Sequence, residues 1–77
     1  MLDFDTIAAR LKHILAYEYK RSRIKDKELA EALGLDAAYF AVIKKRKKIP
    51  YEALVHFCTR RKISLNWVLM AQGSVYL

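Results

Sequence analysis

Seventy-seven residues with 55% hydrophobic and 30% charged side chains, two glycines and one proline suffice for one domain, and they exclude a disordered segment or a loop-rich sheet protein. The formal net charge is +7 and unevenly placed: residues 21–48 hold nine basic and four acidic side chains, residues 1–20 three of each. A localised positive field favours a polyanionic partner, nucleic acid ahead of an anionic membrane or an acidic protein. Phe4, Ile7, Ala8, Leu11, Ile14 and Leu15 recur at the 3, 4, 7 spacing of an amphipathic helix, which predicts a first helix over 5–17 with Asp3 or Asp5 as its N-cap. The polar, basic stretch Glu18 to Arg23 reads as a connection, in which Arg21 and Arg23 are candidates to touch phosphates or to be solvated loop charges.

A second helix is expected to begin near Asp26, whose carboxylate suits the N-cap or the first turn, and to bury Leu29, Ala30 and Leu33. Gly34 supplies a left-handed backbone to end it. Asp36 then caps a third helix, with Leu35 before it placed to pack on Phe40 as a hydrophobic staple. Two helices joined by a turn of about three residues form a helix-turn-helix unit. Ala30, four residues before Gly34, is small where the two helices approach, and Leu29, Leu33, Phe40 and Ile43 supply the contacts between and beneath them.

The third helix is the stretch on which the rest depends. Asp36 to Lys48, DAAYFAVIKKRKK, joins seven apolar residues to five basic ones. Ala is depleted in strands, and the basic tail prolongs a helical pattern, so the run reads as a helix over about 37–45 and not as a buried strand. With only Phe40 and Ile43 facing the core, Ala37, Ala38, Ala41 and Val42 are left on an apolar surface flanked by positive charge. Cations at a helix C-terminus stabilise it through the dipole, but five exceed what capping needs.

Ile49 and Pro50 end the basic run, and Pro50 suits the start of a fourth helix reaching about Arg61. Its buried face draws on Leu54, Val55, Phe57 or Cys58. The lone Cys58 excludes an internal disulfide and reads as a small buried hydrophobe. Ser64 caps a fifth helix, Leu65 to about Gln72, with Ile63 and Val68 as a second staple, Trp67 as a core anchor and Gly73 as a stop. The apolar tail Ser74 to Leu77 is expected to pack back or to meet a second copy.

ELAEALGLDAAYFAVIKKRKKIP resembles the DNA-binding domain of phage repressors of the lambda-repressor-like, Cro-like helix-turn-helix superfamily, and ISLNWVLMAQG resembles that family's closing segment. The resemblance spans roughly residues 5–73. It implies an all-α, compact five-helix domain over residues 1–77, a homodimer on double-stranded DNA with a roughly palindromic operator, and a role in transcriptional repression in a bacterial or phage-encoded cytoplasmic protein. Many relatives carry Ser, Gln or Asn where this chain has Ala37 and Ala38. Many full-length repressors also continue into a self-cleaving domain that has no counterpart here, so a stand-alone regulator or an excised domain is expected.

In this reading Ala37, Ala38, Ala41 or Val42 meet thymine methyls in the major groove, and Tyr39 and Lys45 offer hydrogen bonds to bases or phosphates. Lys25, Lys44, Arg46, Lys47 and Lys48 are the phosphate contacts. Trp67, Met70, Val75, Tyr76 and Leu77 form the expected dimer interface. The alternative is a protein-interaction module, an adaptor or antirepressor, docking a partner on the apolar face of the third helix. A membrane-surface role fits less well, because the apolar stripes are short and no stretch approaches the ~18 apolar residues of a span. The start, with Asp3 and Asp5, does not read as a signal peptide. His13 and His56 have no carboxylate or cysteine at metal-ligand spacing, and no nucleophile or phosphate-loop pattern occurs, so neither enzyme, metal nor cofactor is expected.

Overall fold

The computed structural model describes residues 2–77, and five helices follow one another along them: α1 Phe4–Tyr19, α2 Asp26–Ala32, α3 Ala37–Lys45, α4 Tyr51–Arg61 and α5 Leu65–Met70. Every fully buried side chain among the described residues is apolar. The core gathers the predicted stripe of α1 (Phe4, Ile7, Ala8, Leu11, Ile14, Leu15) with Leu29, Ala30 and Leu33 around α2, Phe40 and Ile43 of α3, and Leu54, Phe57 and Cys58 of α4. Ile24, which no periodic pattern includes, is buried as well and anchors the α1–α2 connection. Val55 departs from expectation and stays exposed, because Leu54, Phe57 and Cys58 already complete the inward stripe of α4.

The first helix is longer than its apolar pattern. Asp3 is the N-cap, its Oδ1 accepting from the Asp5 N–H at 3.0 Å. At the other end Glu18 and Tyr19 remain helical instead of opening a connection. A tertiary contact supports that last turn: the Glu18 carboxylate accepts from Arg61 Nε at 3.0 Å, and the Arg61 guanidinium lies 4.3 Å over the Phe57 ring. On α2 the N-cap position belongs to Lys25, and Asp26 takes the first turn. Glu28 reaches back to accept from the Lys25 N–H at 3.0 Å.

Between α2 and α3 the backbone follows the helix-turn-helix expectation closely. Gly34 has φ +71°, its N–H donates to Glu31 O, and the Leu35 N–H donates to Ala30 O at 2.9 Å. This pair of bonds is the Schellman ending. Asp36 does stand at the N-cap of α3, but its carboxylate makes no capping hydrogen bond. Leu35 packs half-buried against the core that contains Phe40. The Phe40 ring meets Phe4 edge-on, centroids 5.7 Å apart, which seats α3 against the start of α1.

Three further helices end through the same geometry without a glycine. Lys20 after α1, Lys47 after α3 and Lys62 after α4 all have φ between 54° and 56°. In each case the next residue's N–H donates back into the helix: Arg21 to Ala16 O, Lys48 to Ile43 O and Ile63 to Cys58 O. The basic run is therefore bent after Lys45, and Arg46 to Lys48 do not prolong α3.

α5 stops two residues short of the expected Gln72, with Ala71 in the left-handed region at φ 55°. Ser64 Oγ accepts from the Trp67 N–H at 3.2 Å, as a cap should, and Ile63 and Val68 are fully buried. Trp67 packs only half-buried against the core, so Val68 is the anchor of this helix. Gly73, at φ 77°, belongs to the turn that brings the tail back. There Ser64 N–H donates to Val75 O at 2.8 Å and Leu77 N–H to Lys62 O at 3.0 Å, an antiparallel bridge between Ile63 and Tyr76. Arg10 closes the fold from α1, its Nη1 donating to the carbonyls of Val68 and Leu69 at 2.9 and 3.0 Å. No helix among the described residues is long and apolar enough to cross a membrane.

Candidate nucleic-acid interface

Phe40 and Ile43 fix the rotation of α3 by pointing into the core. At 3.6 residues per turn, the strip diametrically opposite consists of Ala38, Ala41, Val42 and Lys45. All four are exposed. Ala37 and Tyr39, expected on the same strip, are exposed but lie to either side of it. Ala37 lines a groove against α2, together with Lys27, Ala30, Phe40, Ala41, Lys44 and Lys45. Tyr39 turns the other way, into a recess shared with Gly34, Leu35, Pro50, Tyr51 and His56.

The groove beside α2 holds about 470 Å³ and owes its existence to small side chains. Ala30, Ala37 and Ala41 leave its floor low, and the ring of Phe40 closes it from beneath. Charged side chains line it as well, Lys27, Lys44 and Lys45 together with Asp5 and Asp26. The surface continues over Ala8, Ala9 and Lys12 of α1. A second recess, lined by Lys12, Arg21, Arg23, Lys25 and Asp26, extends the basic surface toward the α1–α2 connection.

The cations of this face differ in availability. Asp26 accepts from Lys12 and Lys44, its Oδ2 lying 2.7 Å from Lys44 Nζ, and these two ammoniums, Lys12 first, hold its carboxyl below the usual range. Arg21 is paired with Glu28, whose carboxyl is lowered by the Lys25 N–H and then by Arg21. Among the described residues Arg23, Lys25, Lys27, Lys45, Arg46, Lys47 and Lys48 make no ion pair. Two members of the basic run, Lys44 and Lys45, ride on the last turn of α3, and Arg46 to Lys48 occupy the bend that follows. Sequence reasoning offered no sign of the role of Asp26, since its partners lie 14 and 18 residues away.

The expected dimer residues divide. Met70, Tyr76 and Leu77 are exposed, whereas Trp67 and Val75 are half-buried against this chain's own core. The two histidines are exposed, and no group of His, Cys, Asp or Glu among the described residues is arranged to hold a metal ion.

A family model described as the bacteriophage CI repressor helix-turn-helix domain matches residues 12–76, which takes in all of α2 to α5 and the second half of α1. Neither the curated proteins nor the solved structures include a match to this chain.

Proposed function

The chain belongs to the bacteriophage CI repressor helix-turn-helix domain family, and from that membership we propose that it represses transcription by laying α3 in the major groove of double-stranded DNA. The observation that carries this reading is the adjacency of the exposed strip Ala38, Ala41, Val42 and Lys45 to a bend of unpaired cations. The strip supplies the base edge contacts, with Lys45 offering a hydrogen bond to guanine O6 or N7 and Ala37 and Tyr39 reaching bases at the flanks. Arg46, Lys47 and Lys48 contact phosphates, Lys25 does so from the N-cap of α2, and Lys44 joins them when it leaves Asp26.

Exposed Met70, Tyr76 and Leu77 make the side of α5 and the tail the homodimer contact. Two domains set about 34 Å apart would address successive half-sites on one side of the duplex. A protein-docking role for α3 would account for its alanines but gives the cations no task.

The test is a mobility-shift titration of duplex DNA over a range of salt. Lys47→Ala combined with Lys48→Ala weakens binding to every sequence and flattens the log–log salt dependence by roughly 0.9 for each phosphate no longer neutralised. Unchanged affinity and slope would overturn the assignment. For the dimer, Met70→Glu with Leu77→Asp shifts sedimentation to the monomer; a dimeric mass in that variant would remove the tail from the interface.

A further inference from the structure

Base recognition in the major groove uses two kinds of feature, hydrogen-bonding edges and the C5-methyl group of thymine. The outward strip of α3 is equipped for the second kind. Of its four residues, Ala38, Ala41 and Val42 have neither donor nor acceptor in the side chain, and Lys45 stands alone as a polar group at the C-terminal end. Ala30, Ala37 and Ala41 line the adjoining groove over Phe40, so the surface beside the strip is also apolar and recessed. Lys27 and Lys45, which make no ion pair, line it too, beside Asp5 and the Lys44–Asp26 pair. Serine, asparagine and glutamine are absent from α3 altogether.

A 5-methylcytosine carries the same methyl group at the same place in the major groove as thymine. It differs in the exocyclic group at C4 and in its purine partner, features read by hydrogen bonds that the side chains of Ala38, Ala41 and Val42 cannot make. Resting on the DNA-binding reading above, we infer that α3 recognises its half-site through pyrimidine C5-methyl groups, so that 5-methylcytosine substitutes for thymine and cytosine methylation raises affinity. Burying one methyl group corresponds to about a fourfold change in affinity.

The experiment begins with the tightest duplex recovered from a random pool, remade with deoxyuridine for thymidine one position at a time. Deoxyuridine keeps every hydrogen-bonding edge and removes only the methyl. Expected is a loss of about fourfold at each position under α3 and none at flanking positions. At the sensitive positions an A·T pair replaced by G·C loses affinity, and 5-methylcytosine in that G·C pair restores most of it. Val42→Asn, an exposed substitution compatible with the fold, abolishes the deoxyuridine effect at one position and leaves the others. Equal binding of the thymidine and deoxyuridine duplexes at every position, with salt-dependent binding intact, would overturn the methyl reading and leave DNA binding standing. Absence of any duplex binding would overturn both.

Discussion

Lys44, the first cation of the basic run, donates to Oδ2 of Asp26 at 2.7 Å, so an acidic residue of α2 holds a basic residue of α3 at the rim of the proposed DNA surface. Asp26→Asn releases both Lys44 and Lys12. On duplex DNA the variant binds more tightly to unrelated sequences, with a salt dependence steeper by roughly 0.9 for each additional phosphate neutralised. A titration against random-sequence duplex reads this directly, and an unchanged slope would show that Lys44 already reaches phosphate in spite of its partner.

The same pair has a signature in acid. Because Lys12 and Lys44 lower the folded-state pKa of Asp26 below 3.8, its contribution to stability is complete above that value and disappears as the pH falls through the lower folded value. The side chain is 45% exposed, so solvent screening keeps the contribution under about 1 kcal/mol. Urea midpoints of wild type and Asp26→Asn should differ slightly at neutral pH and converge in acid.

Arg10 should matter more to stability. Its guanidinium serves two carbonyls at the end of α5, and those acceptors have no other partner of comparable charge. Arg10→Ala is expected to cost about 1.5–3 kcal/mol, as hydrogen bonds to charged groups do. The salt dependence of DNA binding should be unaltered.

Lys62 and Lys47 hold left-handed backbone that costs a non-glycine residue roughly 1–2 kcal/mol, while glycine's extra freedom in the unfolded chain offsets part of any gain. Lys62→Gly should therefore raise the melting temperature by an amount equivalent to about 1 kcal/mol and leave DNA affinity alone. Lys47→Gly should raise it similarly and weaken DNA binding, and the contrast separates conformational strain from charge.

Burial raises the Cys58 thiol above its ordinary pKa, so in the folded protein it should resist alkylation. Labelling then reports opening of the fold, and Arg10→Ala should accelerate it.

The bounds of α3, Ala37 to Lys45, were legible because Gly34, Asp36 and the Phe40–Ile43 pair are local signals. The inward stripe of α1 was legible for the same reason. What periodicity misses is tertiary. Glu18 and Tyr19 read as a connection, and Arg61 keeps their turn helical. Val55 lies in an apolar pattern, yet its neighbours satisfy the core without it. The ends of α3 and α4 fall where expected, but the left-handed bends at Lys20, Lys47 and Lys62 escaped notice because lysine carries no left-handed preference; they follow from where the chain must go next. At the candidate site the chemistry was visible in DAAYFAVIKKRKK, but the sideways placement of Ala37 and Tyr39 and the hold of Asp26 on Lys44 required coordinates.

The bend after α3 uses up its own main-chain donors. Arg46 N–H donates to Val42 O, Lys47 N–H to Lys44 O and Lys48 N–H to Ile43 O, at 2.9, 3.2 and 2.9 Å. Nothing in that backbone is left to clasp a phosphate oxygen at a fixed position. The grip must come from ammonium and guanidinium groups on long, mobile stems, which exchange one phosphate for the next with little geometric penalty. Contacts of that kind let a protein travel along a duplex before it stops, so under the proposed function this bend would serve the search for a site and the strip of α3 would serve arrest.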